Sequence, residues 1–196
     1  MDWRLYHWVN GISRHHTWLA HAFNAVETVG VVLIAVAACA LWLLARPGGS
    51  PRWKLAAASA LGAAALGLLV NQLIAKAWDR PRPFATHPGA YTLSHSHDPS
   101  FPSDHASAAF GIAFAVLFFD VAVGAGFVVL AALIAVGRVI IGAHYPGGVL
   151  AGLGVGLASA LFVVYAGRPL IALLVRLFER LTDPLTRPAW RRFARR

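Results

Sequence analysis

Charge is scarce in this chain. Only 13% of its 196 residues are Asp, Glu, Lys or Arg, while 58% are hydrophobic. An ordinary soluble domain carries roughly 25% charged residues, so that class is excluded. Ionisable groups are also missing in blocks. None lies between Leu55 and Ala75, and none between Val121 and Gly137. Blocks of this length suit helices that cross a bilayer. Cysteine is almost absent: Cys39 stands alone in an apolar run, which excludes an internal disulfide. A compact apolar core is missing from the first 27 residues, which are studded with Trp, His and Arg. No cleavable leader is therefore expected.

The charge that is present is lopsided, with a net of +9. Nucleic acid is not the expected partner, because of where the positive residues fall. Eight of the 17 basic residues lie between Arg168 and Arg196, after the last apolar run. A membrane protein collects Lys and Arg there when its tail faces the cytoplasm, next to anionic lipid.

The apolar runs predict spans over about Val26–Ala45, Leu55–Ala75, Asp104–Phe119, Val121–Ile141 and Val149–Ala166. Met1–Asn24, with Trp3, Trp8 and Trp18 among polar residues, reads as interfacial. "PLIALLVRLFERL" is amphipathic and is expected to lie along the membrane. The expected fold is all-α: a polytopic helical membrane bundle of about five to six transmembrane helices, with interfacial N- and C-terminal helices. One integral-membrane domain is expected over residues 1–196, with 168–196 as a basic cytoplasmic tail. Arg46, Arg52 and Lys54 place the first turn inside. The long loop from Lys76 to Pro102 then emerges on the outer face, together with "PSDH" and "GAHYPGG".

Three polar clusters interrupt the greasy sequence at those outer ends: "KAWDRPRP" (Lys76–Pro83), "PSDH" (Pro102–His105) and "GRVIIGAH" (Gly137–His144). Ionisable groups at membrane depth are costly and mark functional sites. Arg138 near a helix end is either a snorkelling anchor or a phosphate ligand, and a His six residues later favours the ligand. Arg80, Arg82, Arg138 and Lys76 suit a phosphate, which the planar Arg fork grips in pairs. Ser103 follows Pro102 and reads as an N-cap, where free N–H groups and the helix dipole attract an anion. His144 and His105 then divide nucleophile and acid between them, in an order the spacing alone leaves open. His95 and His97 form a His-x-His pair in "SHSH". No Cys and few carboxylates accompany it, so no metal is expected. Asp98 and Asp120 read as solvated or capping, and Trp78 and Tyr145 as interfacial aromatics.

The three clusters resemble the type-2 phosphatidic acid phosphatase superfamily. Its members carry Lys-x6-Arg-Pro, Pro-Ser-Gly-His and Ser-Arg-x5-His-x3-Asp, in this order. The resemblance covers about residues 69–156. "FPSDHA", "RPRPF" and "HYP" look most like its bacterial undecaprenyl-diphosphatase branch. The resemblance implies a helical membrane bundle with a surface site and no metal or other cofactor. It implies His144 as nucleophile, forming a phosphohistidine, and His105 as acid. Arg82, Ser103 and Arg138 fall on phosphate-binding positions, with Asp104 contributing its backbone N–H. The implied substrate is a polyprenyl diphosphate on the outer face of a bacterial cytoplasmic membrane. Phosphatidic acid or phosphatidylglycerophosphate is the alternative, and a non-catalytic lipid-phosphate binder or transporter is the reading outside enzymes.

Three positions depart from the pattern. The family lysine falls on Ala75, and Lys76 is one residue on, about 100° around a helix. Gly137 stands where Ser precedes the Arg. Gly148 stands where the family Asp would orient the nucleophilic imidazole. Asp79, Asp104 or a backbone carbonyl is left to hold His144.

Overall fold

The structure, a computed structural model, describes residues 2–94 and 96–193. His95, half of the His-x-His pair, lies outside them. The described residues are helical with connecting loops. α1 is Asp2–His15, α2 Thr17–Leu44, α3 Arg52–Ala77, α4 Pro83–Thr86, α5 Asp104–Phe119, α6 Val121–Ile140, α7 Pro146–Leu161 and α8 Arg168–Phe193. A π-helical turn, Phe162–Ala166, extends α7.

Local chemistry sets the ends. Ser103 caps α5 by accepting from the Ala106 N–H. Asp120 caps α6 by accepting from Val123 at 3.1 Å, and the same contact holds its carboxyl below the usual carboxylate range. Pro146 opens α7 where its missing N–H is not needed. α3 ends at Ala77, shortly before Pro81 and Pro83, which cannot continue a helix.

α2, α3, α6 and α7 with its π turn are long and apolar enough to cross a membrane. The shorter α5 runs up the middle, packed against α3, α6 and α7 and more lightly against α2. Its residues Ala106 to Ala113 are all buried. Small residues permit the close approach, because apolar lipid gives helices little hydrophobic reason to associate and contact must do the work. At Gly156 of α7, a Cβ would lie 2.8 Å from both Gly111 N and Ser107 O of α5. Around this core, Val32, Val36, Leu69, Leu73, Val129, Val136 and Leu150 are exposed, the surface expected of a protein solvated by lipid. The chain is an integral membrane protein.

Its two ends differ. At one end, Arg52 pairs with Asp120 at 2.6 Å, and Lys54 reaches Asp183 of α8 at 2.6 Å and Glu179 at 3.1 Å. Both basic segments of the sequence therefore gather at this end. At the other end lie the long loop, the start of α5 and the turn after α6.

The N-terminus differs from the sequence expectation. The first span begins at Thr17, about nine residues before the apolar run does, because helical hydrogen bonding continues through polar residues once the core side packs. The break at His16 lets α1 fold across the loop end. Asn10 clasps Tyr91 through both its N–H, at 3.0 Å, and its carbonyl, at 2.8 Å. Ser13 donates to the Ile140 carbonyl at 2.7 Å, and Trp3 stacks on His87. α1 thus pins the loop, while Leu5, Trp8 and Ile12 stay exposed.

Candidate active site

The three polar clusters meet at the loop end. A cavity of about 320 Å³ is lined by Arg82, Asp104, His105, Arg138 and His144, with Glu27, Thr28, Pro102 and the loop residues Ser94, Ser96, Asp98 and Pro99 completing its wall.

His144 is placed by the turn that leaves α6. Ala143 and His144 both donate N–H bonds back to the Arg138 carbonyl, at 3.0 and 3.1 Å. Gly142 takes a φ of +80°, which L side chains rarely adopt, and the Tyr91 carbonyl packs where a Cβ would stand. The His144 ring is buried, and its Nδ1 lies 3.0 Å from the Ser100 carbonyl. A carbonyl only accepts, so Nδ1 carries the proton and Nε2 the lone pair. Burial, then Arg138 and Arg82, push the imidazole pKa well below its ordinary value, against a smaller opposing pull from Ser100. The ring is therefore neutral at neutral pH, the form a nitrogen nucleophile needs.

The Ser100 carbonyl stands where the missing carboxylate would act. Asp79 and Asp104 do not hold His144: Asp104 accepts from Asn71 at 2.7 Å, and Asn71 also donates to Ser107 at 2.9 Å. Gly148 is bound into the same arrangement. Its carbonyl accepts the Ser103 N–H at 2.9 Å, tying the start of α7 to the start of α5. A Cβ on Gly148 would collide with the Ser100 carbonyl oxygen.

Arg82, 6% exposed, is fixed by its own loop and by the turn after α6. Its Nε donates to the Asp98 carbonyl at 2.7 Å, and Nη1 reaches Ser94 Oγ at 3.3 Å and the Ala143 carbonyl at 3.4 Å. Arg138 is 5% exposed, so it does not snorkel. Its Nη1 donates to Glu27 of α2, and its buried Nε has no partner among the described residues. His105, in the first turn of α5, places Nε2 3.5 Å from the same Glu27 carboxylate. Two guanidinium groups, a helix N-terminus and two imidazoles thus surround one small volume, an arrangement able to bind a phosphoryl group and transfer it.

Three candidates do not line the cavity: Ser103 is fully buried with its N–H donated to the Gly148 carbonyl, Arg80 pairs with Asp2 at 2.8 Å, and Lys76 stands apart. Lys76 is exposed on the last turn of α3. Tyr145, expected at the interface, is buried and shares a 2.9 Å hydrogen bond with Thr86, while Arg80 lies over its ring. Glu27, Asn71 and Ser100 were not among the expected site residues. Glu27 carried a usable signal as a carboxylate inside an apolar run, "NAVETVGVVLIA". Asn71 carried a weaker one, and a backbone carbonyl carries none.

Known proteins resemble this chain in sequence and in fold. The PAP2 superfamily profile matches residues 56–171. Undecaprenyl-diphosphatase BcrC of Bacillus subtilis (strain 168) is 31% identical over 190 residues, covering 95% of this chain and 96% of that one. Putative undecaprenyl-diphosphatase YbjG of Escherichia coli (strain K12) is 31% identical over 161 residues, 80% of this chain and 79% of that one. Among solved structures, Aquifex aeolicus LpxE superimposes with a TM-score of 0.70 at 21% identity, over 82% of this chain and 93% of that one. The arrangement of helices around α5, the order of the three clusters and these matches all lead to one assignment: the chain belongs to the PAP2 superfamily and is a membrane phosphatase.

Proposed function

We propose that this protein hydrolyses undecaprenyl diphosphate to the monophosphate by way of a phosphohistidine on His144. One observation carries the reading. A neutral, buried His144 is held by the Ser100 carbonyl and lines one cavity with Arg82, Arg138 and His105. The choice of lipid is supported by similarity, over nearly the whole chain, to a protein named for this diphosphatase activity.

In this scheme the Nε2 lone pair of His144 attacks the terminal phosphorus and forms a P–N bond. The bond to the bridging oxygen breaks, and its electron pair leaves with the lipid monophosphate. His105 supplies the proton that oxygen needs. Arg82, Arg138 and the N–H groups that open α5, at Asp104 and His105, hold the other phosphoryl oxygens as charge redistributes, while Ser103 caps the turn that presents them. Water then attacks phosphorus, the P–N bond breaks, and His105 takes the water proton. Lys76 is left out, because it does not line the cavity. The site end faces outward and the end bearing Arg52, Lys54 and α8 faces the cytoplasm, as the bias of positive charge requires.

Phosphate release from undecaprenyl diphosphate, phosphatidic acid and phosphatidylglycerophosphate, measured on purified wild-type and His144→Ala protein, tests this. Turnover is expected with the wild type, fastest on the diphosphate, and not with the variant. Faster turnover of a glycerolipid would reassign the substrate. Release from none of the three would end the enzymatic reading.

A further inference from the structure

Glu27 is the only acidic residue in α2, and it is buried. A carboxylate inside an apolar helix is expensive unless a cation meets it. Here the cation is Arg138, whose Nη1 donates to it. The pair does not sit apart from the site. Glu27 lines the cavity with Arg82, Arg138, His105 and His144. A carboxylate therefore rests on a guanidinium that a phosphoryl group needs. Both anions bind an Arg fork through the same donors, so they compete for it.

Two details separate this pair from a structural ion pair. The Arg138 Nε is buried with no partner among the described residues, and a buried donor without a partner is a rare and costly feature. The donor set of Arg138 is incompletely used until an anion enters. Lys54, at the opposite end, shows the contrast: two carboxylates close on its ammonium, at 2.6 and 3.1 Å. Glu27 also has somewhere else to go. His105 Nε2 is 3.5 Å from its carboxylate, so Glu27 can release Arg138 while keeping an imidazole nitrogen beside it as an alternative partner.

We infer that Glu27 is an internal competitor of the phosphoryl group: it holds Arg138 in the empty site, yields it to substrate, and reclaims it as inorganic phosphate departs. This rests on the reading of Arg138 as a phosphate ligand. Glu27 acts through Arg138, so it is a positioning residue. Its effect is to weaken the ground-state hold on the anion and to speed release of a product that two guanidinium groups would otherwise retain. Binding that is equal in ground and transition states does not raise turnover, so a competitor of this kind favours flux.

The test uses Glu27→Gln, which keeps the side-chain shape and removes its charge. The purified full-length protein is titrated with inorganic phosphate by calorimetry, and phosphate is also tested as an inhibitor of lipid-diphosphate hydrolysis. The variant is expected to bind phosphate roughly tenfold more tightly or better, equivalent to about 1.4 kcal/mol, with kcat and KM both lowered. In an Arg138→Gln background, the same change is expected to have no effect on phosphate affinity. A residue that merely props Arg138 in place predicts the opposite sign, since its loss would loosen the fork and weaken phosphate. Weaker or unchanged binding overturns the inference. Should the Gln variant fail to remain monodisperse, Glu27→Asp, which draws the charge back by one methylene, is expected to shift affinity in the same direction, and an unchanged or weaker value there overturns it equally. Tighter phosphate binding without any lipid turnover by the wild type would sink the proposed substrate and leave the competitor standing. Normal wild-type turnover with no tightening would do the reverse.

Discussion

The carbonyl oxygen of Ser100 lies 3.0 Å from Nδ1 of His144. A main-chain dipole therefore stands where the motif would put a carboxylate, and it fixes the tautomer and the ring orientation. It does so without a full negative charge, so it stabilises the imidazolium less. In the proposed attack Nε2 uses its lone pair while Nδ1 keeps its proton, so the ring becomes cationic and the phosphoryl oxygens it then carries offset that charge.

Restoring the motif is expected to harm the enzyme. Gly148→Asp would place a Cβ in collision with the Ser100 carbonyl oxygen, pushing away the group that holds His144. It would also disturb the Gly148 carbonyl, which accepts from Ser103. Phosphate release is expected to fall by about ten- to a hundredfold, the usual loss when an orienting partner is displaced. A gain in rate would mean that the loop yields and that a carboxylate is the better partner.

The two histidines should separate by leaving group. His105→Ala is expected to slow hydrolysis of the lipid diphosphate by roughly a hundred- to ten-thousandfold, the span of general acid catalysis. Its loss on an aryl phosphate with an acidic leaving group should be much smaller, because that oxygen departs without a proton. His144→Ala should abolish both reactions. Equal losses by His105→Ala on both substrates would remove it from the acid role.

Much of this was legible in the chain, and the limits follow from physics. Apolar blocks fix spans because a bilayer admits no unpaired backbone and few charges. The clusters around Arg82, His105 and Arg138 stood out because ionisable residues are rare in such blocks. The start of α2 was hidden, since Thr17 to Asn24 is polar and enters a helix through packing and hydrogen bonding. Ser100 was invisible for another reason. Its contribution is a carbonyl, which every residue owns, and only the path of the loop aims it at His144. Glu27 was visible as an intramembrane carboxylate, but its partner lies 111 positions away, so its meaning required the fold.

The pH profile should carry the imprint of Arg138. The His144 pKa is lowered by burial first and by Arg138 next. A lowered value means that the ring stays unprotonated to lower pH, so the acid limb of kcat/KM lies below the ordinary histidine value of about 6.5. Arg138→Gln removes one cause of the depression and should move that limb upward, besides reducing the rate by about a hundred- to a thousandfold. Titration of the substrate is common to both proteins and cancels in the comparison. A limb that stays in place, or moves to lower pH, contradicts the assigned cause.

The buried ammonium at the far end offers a test of stability rather than chemistry. Lys54 is 2% exposed and bridges α3 to α8 through Asp183 and Glu179. Its side chain is far more buried than that of Glu179, at 3% against 28% exposed, so Asp183, at 12%, is the stronger partner. Removing one member of a buried pair strands the other charge, and Lys54→Ala should destabilise the protein by about 3–5 kcal/mol. A paired replacement, Lys54→Met with Asp183→Leu, removes the two more buried charges and should recover much of that loss, since Glu179, at 28% exposed, keeps contact with water. Denaturant unfolding in detergent would measure both. Turnover per folded molecule at low temperature should stay close to wild type in each, because this cluster and the cavity lie at opposite ends of the bundle. If the single variant proved as stable as wild type, the bridge would be no more than a surface contact, and α8 would owe its place to its apolar face alone.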